Sequence, residues 1–410
     1  MSNLVQCESD IASSPLSPAL SPAITLLFAV ACGISVANVY IAQPLLDAMA
    51  QDLAIDPAVI GLIITVTQIG YALGLIFIVP LGDIIDRRRL ILAQTTVSAL
   101  ALAVVGLASN AAIVLAGLVL IGLLAVVAQL LVAYTANLAV PESRGQAVGV
   151  VTSGVVIGIL LARVFAGILA DLGGWRLVYL TSAGLMLGLV ALLYRAMPAR
   201  SPAREAISYI ELLRSTAMLF VNVRQLRVRA AFAFFIFADL NVFWSAVALQ
   251  LSAPPLYWTH SAIGMLGIVG VAGAITASGA GRLVDRGYAQ WVTGSALLLM
   301  LLAWLPLAAM PVSIAALILG VIAIDLAVQA VHVTSQSVIF AARPEATSRL
   351  VGSYMVFYSL GSACGSIAST LIYAEAGWSG VCILGATIGA GALVFWVFTL
   401  QMDGLPKITS

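Results

Sequence analysis

Long apolar runs alternate with short polar connections along almost the whole chain. A membrane span needs about 20 apolar residues, and twelve runs of about this length occur. They lie at residues 23–44, 58–80, 90–109, 111–138, 147–170, 177–197, 230–251, 261–281, 291–310, 312–340, 350–374 and 379–401. Because lipid offers no hydrogen-bond partner to the backbone, each run is predicted to be a helix. The pattern therefore predicts an all-α integral membrane protein with twelve transmembrane helices, spans 1 to 12.

The basic residues are distributed unevenly over the connections between these spans. Of the 18 Lys and Arg residues, all except Arg163 and Arg176 lie in or beside connections on one predicted side of the membrane. Connections rich in Lys and Arg stay in the cytoplasm. Because the number of spans is even, both termini are predicted to be cytoplasmic.

The composition agrees with a chain that is surrounded mostly by lipid. Hydrophobic residues make up 62% of the chain and charged residues 9%, whereas a soluble domain carries about 25% charged residues. The net charge of +1 gives no reason to expect a nucleic-acid partner. The four cysteines are far apart, which predicts neither a disulfide framework nor a metal site. No phosphate-binding Gly-x-x-x-x-Gly-Lys loop occurs, so no cofactor is expected and an ion gradient is the predicted energy source.

The second half of the sequence repeats the first. Residues 145–175 align with residues 348–378 at an offset of 203, with matches at Gly149 and Gly352, Gly158 and Gly361, Gly174 and Gly377, and Trp175 and Trp378. The repeat predicts two six-helix halves in parallel orientation, an arrangement typical of transporters with a central site. The predicted division is a disordered tail (1–22), an N-terminal bundle (23–197), a cytoplasmic linker (198–229), a C-terminal bundle (230–401) and a cytoplasmic tail (402–410).

Span 10 carries a stripe of polar residues within an apolar segment. At about 100° per residue, Asp325, Gln329, His332 and Gln336 fall on one helix face. A charge at the centre of a bilayer costs roughly 2.5–3.5 kcal/mol, so such residues face a bundle interior or a wet cavity. The stripe has two interpretations: a hydrogen-bonded contact between helices, or a path on which Asp325 and His332 exchange protons.

Three charged residues lie well inside predicted spans: Arg163, Asp239 and Asp325. A buried carboxylate can take up and release protons near neutral pH, so the two aspartates are the predicted proton carriers, with His332 as a relay. Arg163 is expected either to pair with one of these aspartates or to bind an anionic group on a substrate. Such a pair would cross the centre of the molecule, because Arg163 belongs to the first half and both aspartates to the second.

The connection between spans 2 and 3 reads VPLGDIIDRRRL, and the second half contains the related sequence GRLVDRG. The first matches the loop signature Gly-x-x-x-Asp-Arg-x-Gly-Arg-Arg at Asp83, Arg87 and Arg88, and the second at Gly281, Asp285 and Arg286. With these motifs and the repeat, the whole chain resembles a major facilitator superfamily transporter. The resemblance implies that these residues form gating loops in which an aspartate meets a helix N-terminus. It also implies a functional monomer in the inner membrane of a bacterium.

One branch of this family is the nearest likeness. Residues 149–170 resemble the antiporter motif of span 5, although its proline and the usual arginine of span 4 are absent. The stretch VANVYIAQPLL resembles the first span of small bacterial efflux permeases. The chain is therefore most similar to the drug:proton antiporter and sugar-efflux branch.

The family resemblance also indicates where a substrate would bind. In that fold, spans 1, 4, 7 and 10 line the cavity and spans 2, 5, 8 and 11 surround it, and the amides and aromatic residues of this chain concentrate on those spans. The residues predicted to contact substrate are Asn38, Tyr40, Gln43, Gln68, Tyr71, Gln129, Tyr134, Asn137, Asn241, Trp244, Gln329, Gln336, Tyr354 and Tyr358. They describe a polar, nearly neutral pocket with aromatic walls.

The leading functional hypothesis is a proton-driven exporter of a small organic compound such as a drug, sugar or metabolite. A proton symporter that imports a nutrient is the alternative, because no residue encodes the direction of transport. A membrane-embedded enzyme or a sensor is a distant third. An enzyme would need a nucleophile beside a base, yet no cysteine lies near His332, the one histidine inside a span. The other histidine, His260, is expected to be a solvated loop residue.

Overall fold

A computed structural model describes residues 21–140, 143–197, 208–276, 282–284, 286–342 and 347–403. Within these ranges the chain forms helices joined by short turns, with no β-strand. In the described part of the chain, nine stretches are long and apolar enough to cross a membrane, two of them containing two helices each, and His260–Gly270 is a shorter apolar helix. The prediction of an all-α membrane protein is confirmed.

The long helices follow the predicted spans. They are α1 (Pro22–Tyr40), α2 (Leu62–Phe77), α3 (Arg87–Leu107), α4 (Ala111–Ala125, continued by Val127–Leu138), α5 and α6 (the two arms of Arg144–Ala196), α7 (Arg224–Ser252), α8 (His260–Thr276), α9 (Ala289–Ala308), α10 (Ile314–Ala342), and α11 and α12 (the two arms of Thr347–Asp403). Shorter helices lie at Leu46–Leu53, after α1, and at Tyr209–Asn222, before α7.

Each of the two longest helical segments, Arg144–Ala196 and Thr347–Asp403, is interrupted at a glycine. The two transmembrane helices of each segment therefore follow one another without a loop. Gly174 has φ +75° and ψ 174°, and Gly377 has φ +61° and ψ −159°. Such backbone angles are essentially restricted to glycine. Because these glycines are 203 residues apart, the repeat seen in the sequence is also a repeat of backbone geometry. The tryptophans that follow them are both buried and both donate a hydrogen bond, Trp175 to Asp52 Oδ2 and Trp378 to the Leu307 carbonyl.

Glycines also set the distance between helices inside each half. A Cβ atom on Gly158 of α5 would lie 2.3 Å from the Gly33 carbonyl oxygen of α1. In the second half, a Cβ on the matching Gly361 of α11 would lie 2.2 Å from the Phe234 carbonyl oxygen of α7. Small residues of this kind allow membrane helices to approach closely. The pairs α1–α5 and α7–α11 are therefore equivalent packing units.

The two halves meet through α5 with α8 and through α2 with α11. A Cβ on Gly167 of α5 would lie 2.2 Å from the His260 carbonyl oxygen, and Thr65 Oγ1 of α2 donates to the Ala363 carbonyl of α11 at 2.9 Å. At the other end of the same helices, a Cβ on Gly149 or Gly352 would have no atom within 4 Å. We refer to the packed end as the His260 end and to the opposite one, where α3 begins, as the Arg88 end.

Candidate functional site

Arg163 lies on α5 where the two halves meet, and its side chain is held by both of them. It is 4% exposed. Its Nε donates a hydrogen bond of 2.7 Å to Gln43 Oε1 from the N-terminal half. Its guanidinium carbon lies 3.9 Å from the ring centroid of Trp244, on α7 of the C-terminal half. A planar guanidinium stacked on an indole is a favourable cation–π contact.

The Gln43 side chain continues the contact into the other half. Its Nε2 donates to Asn241 Oδ1 at 3.4 Å, and Asn241 Nδ2 donates to the Phe237 carbonyl of its own helix. Gln43 lies just beyond the end of α1, because Pro44 has no N–H to continue the α-helix. A 3-10 turn follows over Gln43–Leu45. Arg163, Gln43 and Asn241 therefore form a polar chain from one half to the other.

Asp325 lies on α10 and faces the same region across α8. Its carboxylate packs against Gly270, because a Cβ on that glycine would lie 2.4 Å from Asp325 Oδ2. This oxygen is buried and accepts no hydrogen bond from any residue that the structure describes. Asp325 and Arg163 interact through their charges without a direct ion pair among the described contacts. Pairing with an aspartate was one of the two roles expected for Arg163; in this conformation its direct contacts are instead with Gln43 and Trp244.

A small cavity lies beside this cluster at the junction of the halves. It contains about 170 Å³ of empty space, but no part of it is wide enough to hold a water molecule. Its lining residues are Gln43, Pro44, Arg163, Trp244, Val247, Ala248 and Ile263. This conformation therefore holds a contracted central site.

The structure places Asp239 away from this cluster. Asp239 lies on α7 and is fully buried, and both of its oxygens face the indole nitrogen of Trp304 on α9, at 3.0 Å and 3.3 Å. Trp304 is 2% exposed. Asp239 is thus satisfied inside the C-terminal half, and it does not meet Arg163.

A second polar cluster surrounds His332 of α10. Its Nδ1 lies 2.9 Å from Tyr354 Oη of α11, and its Nε2 lies 3.2 Å from Gln336 Nε2, one turn further along α10. Phe237 packs edge-on against the imidazole, with the ring centroids 5.3 Å apart, and Tyr358 packs on Phe237 at 3.9 Å. His332 and Gln336, the C-terminal part of the predicted stripe, therefore lie where α7, α10 and α11 contact one another.

The remaining predicted pocket residues are spread over the bundle. The Tyr40 ring lies 5.7 Å from the Arg163 guanidinium carbon, and Gln129 Nε2 donates to Tyr71 Oη at 3.3 Å. Gln68 is fully buried, and its amide has no hydrogen-bond partner in the described part of the chain. The buried Nδ2 of Asn38 also has no hydrogen-bond partner there. The last three are Tyr134, which packs on Phe28, Asn137, which is exposed, and Gln329, which is half-buried one turn from Asp325.

The predicted gating loop of the first half is a tight turn before α3 that is held by hydrogen bonds. Arg87 forms an ion pair of 2.7 Å with Asp83 and donates to the carbonyls of Gly82 and Ala133. Arg88 donates to the Tyr194 carbonyl at 2.7 Å, so the turn joins α3 to α4 and α6. In this conformation Asp83 contacts Arg87 rather than a helix N-terminus. In the second half, Arg286 is exposed, whereas Gly281 and Asp285 lie outside the described residues.

The expectation that His260 is solvated is wrong, because the imidazole lies between two carboxylates. Its Nδ1 is 3.1 Å from Asp171 Oδ1 and its Nε2 is 3.3 Å from Asp47 Oδ1. The backbone N–H groups of His260 and Ser261 also donate to the Asp171 carboxylate, at 3.1 Å and 2.9 Å. These are the first N–H groups of α8, and a helix N-terminus favours a carboxylate.

The contacts around His260 change the pKa of its imidazole and that of the Asp171 carboxyl group. The close contact with the Asp47 carboxylate, and then the hydrogen bond and charge of Asp171, raise the pKa of His260 above its ordinary value, although burial acts in the opposite direction. Burial would raise the pKa of Asp171, but the hydrogen bonds from Ser261 and His260 outweigh it and lower that pKa. One signal for this cluster existed in the sequence: the predicted outer connections carry few charges, and Asp47, Asp171 and His260 are among them.

Comparison with known proteins agrees with this architecture. Residues 27–339 match the Major Facilitator Superfamily. The putative uncharacterized transporter YgaY of Escherichia coli K12 is 41% identical over 377 residues, which is 92% of this chain and 95% of that protein. The purine ribonucleoside efflux pump NepI of Escherichia coli O127:H6 is 28% identical over 186 residues, 44% of this chain and 46% of the pump.

A solved structure shares the fold. It is that of a bacterial homologue of the human lysosomal transporter Spinster, and it superposes with a TM-score of 0.76 at 16% identity, covering 94% of this chain and 98% of that one. With the helices α1 to α12 in the described part of the chain, polar contacts between the two halves and a family match over most of its length, the chain belongs to the major facilitator superfamily and is a multi-pass membrane transporter rather than an enzyme.

Proposed function

We propose that the protein is a proton-coupled exporter of a small organic compound that is rich in hydrogen-bond donors. The carrying observation is the buried Asp325 Oδ2, which has no hydrogen-bond partner among the described residues and faces the Arg163 region. An unpartnered buried carboxylate oxygen is costly, so the site favours an occupant. A substrate hydroxyl or N–H and a proton would compete for this one oxygen.

This competition gives the sequence of events in an exchange. In the conformation described above, the halves are packed at the His260 end. The placement of basic residues makes the Arg88 end cytoplasmic, so the substrate would enter from the cytoplasm and bind ionised Asp325 while stacking near Trp244. After the halves rock to open the His260 end, a proton takes the same oxygen and the substrate leaves. Protonated Asp325 then returns with the carrier, which is antiport.

Other polar residues have secondary parts in the proposal. His332 lies two helical turns from Asp325 on α10, about 10 Å along the axis, and its contacts with Tyr354 and Gln336 fit a proton relay toward the cytoplasm. Asp239 is ranked below Asp325 as a proton carrier, because Trp304 already satisfies its carboxylate. The Arg163, Gln43 and Asn241 chain would orient the acceptor groups of the substrate.

The same geometry defines the alternative. An anionic substrate would bind Arg163 directly, and protonation of Asp325 would strengthen that binding by removing a competing negative charge. Proton and substrate would then favour each other, which is symport and fits a nutrient importer. The sign of the coupling between proton and substrate therefore separates the two candidate functions.

The test uses everted membrane vesicles that contain the protein and have been energised to an acid interior. Purine ribonucleosides are added first, because the similar pump NepI is named for them, followed by drugs, sugars and organic acids. We expect a neutral, donor-rich compound to dissipate the pH gradient, and Asp325→Asn to abolish this response. Asp56→Asn is the matched control, since Asp56 is exposed and its side chain caps a short turn through an oxygen that Asn retains.

Two results would reject the proposal. Uphill transport that persists in Asp325→Asn would remove the proton role of this residue. Proton uptake that accompanies entry of an organic anion, in right-side-out vesicles, would replace the exporter by the symporter.

A further inference from the structure

We propose that His260, Asp47 and Asp171 form a proton-binding site that locks the two halves of the transporter together at the His260 end. The site lies outside the predicted spans and is separate from the Asp325 region. The proposal rests on the alternating access implied by the family, but not on the direction of transport or on a proton role for Asp325.

The three residues belong to opposite halves. His260 is the first residue of α8 in the C-terminal half. Asp171 follows the transmembrane part of α5, and Asp47 lies on the short helix Leu46–Leu53, both in the N-terminal half. Opening this end of the molecule requires α5 and α8 to separate, so the imidazole must then leave at least one carboxylate.

The number of protons on the imidazole decides how many carboxylates it can bind. Each ring nitrogen faces a different aspartate, Nδ1 toward Asp171 at 3.1 Å and Nε2 toward Asp47 at 3.3 Å. A neutral imidazole has one N–H and can donate to one of them, whereas an imidazolium has two. The facing atoms His260 Nε2 and Asp47 Oδ1 are buried, and their contact is an ion-pair distance rather than a well-aligned hydrogen bond. The arrangement therefore suits the doubly protonated ring.

The neighbouring charges do not supply another partner for the imidazole. Along α8, the next charged side chains are Arg163, which packs against Gly267, and Asp325, which packs against Gly270. They are about two and three turns from His260, roughly 10 Å and 15 Å along the helix. Asp52 and Arg176, near the same end, form an ion pair with each other inside the N-terminal half. Among the described residues, Asp47 and Asp171 are thus the charged groups that contact His260.

Loss of the proton would weaken the lock without removing the packing of α5 on α8. The N–H of Ser261 still donates to Asp171 Oδ2, and Gly167 still packs on the His260 backbone. The second carboxylate, however, would face a ring nitrogen that has no proton to donate. Deprotonation therefore lowers the stability of the closed end selectively.

Linkage gives the direction of the pH effect. The closed form raises the pKa of His260, so closure takes up a proton. The stabilisation is fully present below the ordinary histidine pKa of about 6.5 and is lost as pH rises through the raised value. One linked proton changes the closed-to-open ratio by up to about tenfold per pH unit in that window. Acid on this side of the membrane would hold the transporter closed toward it.

The test measures opening directly, without substrate or a proton gradient. Spin labels on Leu107→Cys and Val312→Cys, in a background whose native cysteines are replaced, report the distance between the halves, because both positions are highly exposed at the His260 end. Electron–electron resonance distances are recorded in lipid nanodiscs from pH 5.5 to 8.5. We expect the long-distance population to rise with pH. His260→Gln should remove this step, and Asp47→Asn should move its midpoint to lower pH.

Controls separate this lock from other effects. Arg176→Gln should keep the parental step, because its partner Asp52 is in the same half. Asp325→Asn removes the proton site proposed for transport but leaves the His260 contacts intact. A pH step that persists in Asp325→Asn and is lost in His260→Gln therefore belongs to the lock, so failure of the transport proposal and failure of this one are distinguishable. A parental distance distribution that does not change with pH, or a full step in His260→Gln, would overturn the proposal. If His260→Gln does not fold, the midpoint in Asp47→Asn decides, and an unchanged midpoint counts against the lock.

Discussion

Two aspartates inside transmembrane helices of the C-terminal half have very different surroundings. Asp239 of α7 receives the indole N–H of Trp304, and the pair is enclosed between two helices of the same half. Asp325 of α10 packs on Gly270 of α8, has one oxygen without a hydrogen-bond partner among the described residues, and interacts through its charge with Arg163 of the opposite half. Asp239 is fully buried and Asp325 is half-buried, but the position of their partners separates the two residues more clearly than their burial does.

This difference bears on which aspartate can couple a proton to transport. When two halves rock as rigid bodies, contacts inside one half persist while contacts between halves change. The Asp239 and Trp304 pair would keep the same hydrogen bond in every conformation. The surroundings of Asp325 would change with each transition, because Arg163 moves with the other half. A proton site that drives a conformational change must differ between the two conformations.

The largest effect that separates these regions is expected at Arg163. Arg163→Leu removes the hydrogen bond to Gln43, the stack on Trp244 and the positive charge near Asp325, so transport should fall to background. Arg163→Lys keeps the charge but loses the planar stack and the Nε donor, and most transport should still be lost, because the two cations are not equivalent at a stacked site. Initial rates in proteoliposomes measure both variants.

An exposed arginine serves as the control for these variants. Arg195→Lys, near the end of α6, should leave the rate unchanged. Full transport by Arg163→Lys would show that charge alone is sufficient at the centre. The contact with Trp244 would then have no part in the mechanism.

The sequence was sufficient for the fold, because physical constraints on membrane segments are strong. A span must be apolar over a fixed length, and its backbone must be helical. The repeat matched Gly174 with Gly377, and the structure gives the reason, since a backbone that only glycine adopts leaves a glycine in both copies. The predicted loops between spans 5 and 6 and between spans 11 and 12 proved to be these glycine breaks inside continuous helical segments.

The site was harder to predict than the fold. The cost of a charge in lipid singles out Arg163, Asp239 and Asp325, but it does not say which neighbour each one faces. α7 is buried on nearly all sides, so its rotation, and with it the direction of Asp239, is set by packing against α10 and the segment of α11 and α12. In the His260 cluster, Asp47 and Asp171 are 124 residues apart, and Asp171 and His260 are 89 residues apart. Such distances carry no local pattern.

An intermediate effect is expected at Asp239, and on stability rather than transport. Asp239→Asn keeps an oxygen that accepts from Trp304, so the change should cost about 1 kcal/mol or less. Asp239→Leu leaves the buried indole N–H unpaired and should cost about 1–3 kcal/mol. Thermal unfolding in detergent gives the stabilities, and the rate per folded molecule should stay close to that of the parent. Loss of proton coupling in a stable Asp239→Asn protein would return this residue to the proton-carrier role expected from the sequence.

The smallest effect tests the contact that holds the Asp325 carboxylate. In Gly270→Ala the new Cβ would lie 2.4 Å from Asp325 Oδ2, so the carboxylate must move away from α8. We expect a few-fold lower transport rate with little change in stability, because alanine favours the helix by about 0.5–1 kcal/mol over glycine and offsets the crowding. Gly352→Ala is the matched control, since a Cβ there meets open space and should bring the helical gain without a loss of rate. Equal rates for the two variants would mean that the position of the Asp325 carboxylate against α8 is not critical, and the contrast with Asp239 would then depend on Arg163 alone.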